Sequence, residues 1–251
     1  MSRNRTKENV TKNKNEAIGK IDYLLTNLTN SDDEKLLKRA DLISYWIKDF
    51  AKYIEYEDQF NPKKLISYSR GDVIRVNFGF RVGSEFGGLH YAVVIDNANS
   101  QSSNVVTVIP LSSTDGKTVH RNNVDLGSEL YHKINDQQRK LIAKTSERIK
   151  ECSSLIKASN ELPIMDIPTQ NLTYLTKKHF ESIKLLETLK KYDKEINRLK
   201  NGSMAIVNQI TTVSKQRIYV PKKSLDYLYG IKLSTSALDK INDKLKSLFL
   251  R

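Results

Sequence analysis

The sequence has almost no cysteine. Cys152 is the only one in 251 residues, which excludes a disulfide within the chain and a metal site built from cysteines. It lies in a segment of helical apolar spacing, where we expect a small packing residue rather than a nucleophile. The four histidines are scattered and show no metal-ligand spacing. No metal and no cofactor are therefore expected.

Long hydrophobic runs are also missing. No apolar stretch approaches the roughly 18 residues that span a bilayer. The polar N-terminus, MSRNRTKENVTKNKNEAIGK, lacks the apolar core of a secretory signal. We therefore expect a cytoplasmic protein that has no membrane partner.

Negative charge is outweighed by positive charge. The chain has 42 lysines and arginines against 29 aspartates and glutamates, a formal net charge of +13. Such an excess attracts polyanions, of which nucleic acid is the commonest and an anionic membrane surface the second. Solvated helix faces in a lysine-rich protein explain the charge equally well.

The apolar spacing changes along the chain and divides it into four segments. Residues 1–62 are predicted as an N-terminal helical extension, frayed to about residue 15 and then forming two amphipathic helices. Residues 66–127 and 201–251 contain short β-branched runs, which predict antiparallel strands, and the second segment ends in an amphipathic helix. Residues 128–200 return to helical spacing. The expected fold class is α+β, with strands that close into a small barrel or roll.

The segment 128–200 is predicted as a helical hairpin inserted into the β-region. Its apolar residues step by four and three from Leu185 through Leu189, Tyr192 and Ile196 to Leu199, as in a short coiled coil. Pro163 and Pro168 mark the break between its two arms. The apolar stripe requires a partner, which is the other arm, the N-terminal helices or a second subunit.

Glycine is scarce, with ten in the chain, yet two stand together at Gly87 and Gly88, directly before an apolar run. The surrounding stretch, RGDVIRVNFGFRVGSEFGGLHYAVVID, resembles the opening of the MazF/PemK family of toxin endoribonucleases. That opening has a basic-Gly-Asp start, a strand, a Gly-Ser-Glu-x-Gly-Gly loop and an apolar strand. SMAIVNQITTVSKQRI resembles a later strand of the family, and VVTVIPLSS fits the strand between. Two separated motifs in the family's order make the resemblance specific.

The resemblance implies both a fold and a function. The fold is an SH3-like β-barrel of the CcdB/MazF toxin type, here with an N-terminal helical pair and an inserted helical hairpin. The function is that of a toxin in a type II toxin–antitoxin system, which cleaves single-stranded RNA or mRNA without metal by attack of the RNA's 2′-hydroxyl. A cognate antitoxin and a homodimer are the protein partners that it implies.

The resemblance also implies the site residues. His90 stands where many members have arginine, and we expect it to transfer protons, although it is a weaker phosphate clamp than arginine. Ser112 aligns with the family's threonine, whose hydroxyl donates to a phosphate oxygen, and Ser113 is the alternative. The predicted catalytic residues are His90 and Ser112. The predicted RNA- or phosphate-binding residues are Arg70, Glu85, Gly87, Gly88, Ser113 and Gln209. The family's arginine two residues after the glutamine is Thr211 here, so one positive contact is missing.

Two other functions stay open at this point. A catalytically degenerate barrel would bind RNA or a protein without cleaving, with His90 only capping a strand end. A gyrase poison of the CcdB type would share the barrel. Those toxins end in a tail that contains tryptophan, whereas this chain ends in KSLFLR and has its one tryptophan at Trp46.

Overall fold

The structure is a computed structural model that describes residues 5–116, 118–160, 169–191 and 193–250. These residues divide into two compact units. The first unit holds the chain up to Phe60 together with Gly79–Val82, and the second holds Asn61–Phe78 and the chain from Gly83 onward.

The first unit contains two long helices, α1 (Lys7–Thr29) and α2 (Glu34–Tyr56). The α2 helix begins where the Asp33 carboxylate accepts a hydrogen bond from the Lys35 amide. The α1 helix begins earlier than predicted, and the expectation of a frayed chain to residue 15 is wrong from Lys7 onward. The Thr6 hydroxyl caps it by accepting from the Asn9 amide. The Thr6 cap therefore starts this helix before the residues that carry the apolar spacing.

A close contact between a glycine and the single tryptophan lies in the first unit. Gly79 has a φ of +78°, and a Cβ atom added to it would lie 2.6 Å from the Trp46 ring. The ring also contacts two aromatic neighbours on its own helix, Phe50 and Tyr53, with centroids 6.0 and 6.3 Å away. Only glycine provides both this backbone conformation and this space.

The second unit is built on an antiparallel sheet, which confirms the α+β class. Its strands are β1 (Val73–Asn77), β2 (Leu89–Val94), β3 (Val105–Ser113), β4 (Val124–Gly127), β5 (Ser203–Ala205), β6 (Thr211–Ser214) and β7 (Ile218–Val220). Their order is β4-β5-β3-β2-β1-β7, and β6 also pairs with β3. Among the described strands no ladder closes this order into a ring, so the barrel is not confirmed.

The stretch SMAIVNQITTVSKQRI, which resembles a later strand of the family, belongs to three short strands. Two 3₁₀ turns, Val207–Gln209 and Lys215–Arg217, separate β5 from β6 and β6 from β7. The turns allow consecutive strands to pair in different places. The β5 and β6 strands share one edge of β3, whereas β7 pairs with β1.

The two faces of the sheet are buried in two different apolar clusters, as the period of two in a strand requires. The helix face carries Val73, Tyr91, Val93, Ile109 and Leu111, which pack with residues of α3 (Glu129–Asn160) and α6 (Thr235–Phe249). The loop face carries Ile74, Val76, Ala92, Val94, Val106 and Val108, which pack with Tyr68, Phe78, Val213 and Ile218.

The described residues of the segment 128–200 are mostly helical, as the apolar spacing predicts, and form α3, α4 (Thr169–Lys191) and α5 (Asp193–Arg198). The helices α3 and α4 pack against each other. From the apolar stripe, Leu185 packs against the core of the helix face, and Ile196 and Leu199 are buried in it. Tyr192, the side chain of Leu189 and the break at Pro163 and Pro168 lie outside the described residues. The described part of the stripe is therefore covered by this chain itself.

Cys152 is buried on α3 with a free thiol, which confirms a packing position. No helix within the described ranges is long and apolar enough to cross a membrane.

Candidate active site

His90 lies at the start of β2, beside the glycine loop (Gly83–Gly88). Its ring packs against that of Phe86, with centroids 4.6 Å apart and ring planes tilted by 59°. Gly88 has a φ of +87°, and a Cβ atom there would lie 3.4 Å from Cδ2 and Nε2 of His90. The second glycine of the pair is therefore favoured by the positive φ of the turn, whereas a Cβ atom there would make an ordinary van der Waals contact with the imidazole. Gly87, before it, is half-buried, and Glu85 is exposed.

Ser112 lies on β3, which pairs with β2, the strand that carries His90. The pairs Ala92↔Pro110 and Tyr91↔Leu111 are in register, and the next step of this register places Ser112 opposite His90. Because side chains alternate along a strand, both lie on the loop face, where directly opposite residues have Cβ atoms about 4.5–5.5 Å apart. The structure thus brings the two predicted catalytic residues together.

Ser113, the alternative to Ser112, lies on the other face of the sheet and has a hydrogen-bond partner of its own. It follows Ser112 on β3 and so lies on the helix face. Its hydroxyl donates a hydrogen bond of 2.8 Å to the Asp115 carboxylate. This geometry favours Ser112 as the partner of His90.

The surroundings of His90 favour its neutral form. Burial lowers the pKa of His90 below its ordinary value of 6.5, and the positive charge of Arg75 lowers this pKa further. A neutral imidazole can accept a proton, but it gives a phosphate no permanent positive charge. The local electrostatics therefore suit a general base better than a phosphate clamp.

Arg75 is a site residue that the sequence analysis did not identify. It lies on the helix face of β1, is only 9% exposed, and pairs with Tyr91. Its guanidinium lies 5.5 Å from the centre of the Tyr219 ring and 6.0 Å from that of Tyr91. The signal in the sequence was an arginine within an otherwise apolar strand, VIRV.

Arg75, His90, Ser112 and Ser113 line one small cleft of about 140 Å³ at this end of the sheet. Leu199, the last residue of the stripe in the inserted helices, lines it as well. The cleft therefore lies beside both predicted catalytic residues, the buried Arg75 and the end of the inserted helices.

Gln209 holds the glycine loop. Its side-chain oxygen accepts a hydrogen bond of 3.3 Å from the Phe86 amide, and its side-chain nitrogen donates one of 3.3 Å to the Ser84 carbonyl. The second sequence motif thus fixes the loop of the first one. RNA binding by Gln209 remains a prediction.

Arg70 lies away from this cleft. Its guanidinium donates hydrogen bonds to the Ile95 carbonyl and to the Asn242 side chain on α6. Ile95 follows β2 at the end opposite His90, and five residues of strand span about 16 Å. Arg70 therefore attaches α6 to the sheet, and its contact with RNA remains a prediction for a separate place on the surface.

Within residues 5–116, 118–160, 169–191 and 193–250, no three histidine, cysteine, aspartate or glutamate side chains come together as a metal site.

Comparison with known proteins gives one family. Residues 69–162 match the family model of the PemK-like, MazF-like toxins of type II toxin–antitoxin systems. The match includes the glycine loop, His90 and Ser112, and it ends before Gln209 and the later strands. A comparison with curated protein sequences found no match. The resemblance seen in the sequence is thus confirmed over residues 69–162, where the chain matches the PemK-like, MazF-like toxin family.

Proposed function

We propose that this protein is the toxin of a type II toxin–antitoxin system and cleaves single-stranded RNA, including mRNA, without a metal ion. The observation that carries the proposal is the position of His90 and Ser112, side by side on one face of β2 and β3. The family match over residues 69–162 supports it. A positive net charge of +13 suits a polyanionic substrate.

The proposed reaction uses the substrate's own nucleophile. The 2′-oxygen of the RNA attacks the adjacent phosphorus while neutral His90 accepts the 2′-hydroxyl proton. The bond from phosphorus to the 5′-oxygen breaks, and the departing oxygen takes a proton from water. The Ser112 hydroxyl donates to a phosphate oxygen, where negative charge increases in the transition state. The products are a 2′,3′-cyclic phosphate and a 5′-hydroxyl.

We propose that the chain also has the rest of the architecture that the family implies. We infer that β6 and β7, which link the edge of β3 to β1, complete an SH3-like barrel formed by residues 66–127 and 201–251. Residues 1–62 form an N-terminal extension to it, and residues 128–200 form an inserted hairpin. We also propose a cytoplasmic homodimer that an antitoxin protein neutralises.

The chemistry of the product ends tests this function directly. Purified protein incubated with a single-stranded RNA in EDTA is expected to give fragments with 2′,3′-cyclic phosphate and 5′-hydroxyl ends. The His90→Ala protein, prepared in the same way, controls for contaminating ribonuclease. Fragments with 5′-phosphate ends, or cleavage that requires magnesium, would contradict the mechanism.

The second candidate function is binding of RNA without cleavage. It is favoured by the packing of His90 between Phe86 and Gly88, because this contact alone gives the imidazole a structural role at the strand end. Tight binding of the same RNA with no cleavage over hours would support this function and exclude the first.

The pH dependence of cleavage is expected to report on Arg75. If neutral His90 is the base, the rate is high above the pKa of His90 and falls as the pH drops through it. Since this pKa lies below 6.5, the wild-type inflection should lie below 6.5 as well. Arg75→Gln removes one cause of the lowering and should move the inflection upward.

An exposed arginine on α2, Arg39, provides a matched control. Arg39→Gln removes the same charge in the other unit of the chain and should leave the inflection where it is. A pH–rate profile of Arg75→Gln that coincides with that of Arg39→Gln would refute the electrostatic link to His90.

A further inference from the structure

A second and larger cleft adjoins the one beside His90. It has a volume of about 740 Å³, within the roughly 300–1,000 Å³ that is usual for ligand pockets. At two places in the chain, one residue lines the smaller cleft and the next residue lines the larger one. Ser113 lines the smaller cleft and Thr114 the larger, and Leu199 lines the smaller cleft and Lys200 the larger. We call this larger cleft the Lys200 groove.

The lining of the Lys200 groove is polar and includes an exposed cation. Hydroxyl groups come from Thr118 and Ser128, and an ammonium group comes from Lys200. Asp125 is the acidic residue of the lining, and its carboxylate accepts a hydrogen bond of 2.8 Å from the Gly127 amide. Hydroxyl and ammonium donors are the groups that proteins use to bind sugar–phosphate backbones. The described residues of the lining include no aromatic side chain on which a base could stack.

Lys200 is held in place by the junction between β3 and the inserted helices. The Thr114 hydroxyl donates a hydrogen bond of 2.8 Å to the Asn201 carbonyl, and the Thr114 amide donates one of 3.0 Å to the Gly202 carbonyl. Gly202 has a φ of +106°, and a Cβ atom there would lie 2.9 Å from the Thr114 hydroxyl oxygen. On the other side of Lys200, Leu199 is buried in the core.

We propose that the Lys200 groove binds the sugar–phosphate backbone of single-stranded RNA on one side of the scissile phosphate, with Lys200 contacting a backbone phosphate. The proposal rests on the proposed function, since that function places the scissile phosphate at His90 and Ser112. It gives the inserted segment 128–200 a role, because the last turn of this segment supplies one wall of the substrate path. A contact to the backbone adds affinity with little preference for sequence.

The test measures binding without chemistry. In the His90→Ala background, the affinity for a fluorescent single-stranded RNA of about ten nucleotides is determined by anisotropy at several salt concentrations. Each neutralised phosphate of a single strand contributes about −0.7 to the slope of log affinity against log salt. Lys200→Gln is expected to weaken binding several-fold at low salt and to reduce the magnitude of this slope by about 0.7.

Lys246→Gln is the matched control. Lys246 is exposed on α6, where the Asp243 carboxylate lies 3.9 Å away, and its removal changes the net charge equally. Its affinity and slope should equal those of the parent. If Lys200→Gln behaves in the same way as Lys246→Gln, the groove does not bind the backbone and the proposal is overturned.

The outcome is separable from that of the proposed function. Failure of the proposed function appears as the absence of cyclic-phosphate ends when His90 is intact. Failure of the groove appears as equal binding by the Lys200 and Lys246 variants. A protein that cleaves RNA but binds it independently of Lys200 would therefore refute the groove alone.

Discussion

Replacement of His90 by alanine is expected to slow RNA cleavage by about 10²- to 10⁴-fold, the usual contribution of a positioned proton-transfer group. The affinity for RNA should change much less, because a neutral imidazole adds no charge to the site. Single-turnover cleavage of a labelled RNA measures the rate, and fluorescence anisotropy measures the affinity. A selective loss of rate would assign His90 to the chemistry.

Two controls separate chemistry from packing at His90. Circular dichroism of His90→Ala should match that of the wild type, since the ring packs at the edge of the loop-face core, against Phe86. His90→Arg introduces the residue that many family members carry and should retain partial activity, without the inflection below 6.5. A fully active His90→Ala protein would show that proton transfer lies elsewhere and that the position of His90 has no mechanistic meaning.

Gly79→Ala is expected to destabilise the helical unit by roughly 2 kcal/mol or more. A left-handed backbone costs an alanine about 1–2 kcal/mol, and overpacking of a filled site costs about 1–3 kcal/mol. Both apply here, since φ is +78° and the new Cβ would lie 2.6 Å from the Trp46 ring. Trp46 is the only tryptophan, so unfolding in denaturant followed by its fluorescence measures this unit.

The same substitution at Gly19 should have the opposite sign. Gly19 lies within α1, and a Cβ atom there would meet nothing within 4 Å. Alanine in a helix interior is favoured over glycine by about 0.5–1 kcal/mol, so Gly19→Ala should raise the free energy of unfolding. Equal effects of the two substitutions would show that Gly79 is not needed for the packing of Trp46.

The local features of this fold could be predicted from the sequence, because their causes lie within a few residues. The Asp33 cap starts α2 through the Lys35 amide two residues later, and the turn at Gly88 has a positive φ that suits glycine. The apolar spacing of residues 128–200 likewise predicts helices, and the described residues there form α3, α4 and α5. The start of α1 was missed because a cap at Thr6, rather than an apolar stripe, determines it.

The long-range features could not be predicted in the same way. One edge of β3 pairs partly with β5 and partly with β6. This division depends on the geometry of turns, which the pattern of residues does not reveal. Arg75 lies within an apolar run of the sequence, but its neighbours Tyr91 and Tyr219 come from two other strands. For the same reason the sequence motif placed Arg70 with the other site residues, whereas the fold places it at the far end of β2.

The pairing of one β3 edge with both β5 and β6 affects how the chain folds during synthesis. A nascent chain that has just emerged through β3 has one edge of this strand open, and its partners follow roughly ninety residues later. Contacts of such high sequence separation form late and slowly. Gln209, which fixes the glycine loop, also lies 123 residues after its partner Phe86 in that loop. A truncated translation product that stops before residue 201 therefore contains His90 and Ser112 but not the strands and the glutamine that complete their surroundings.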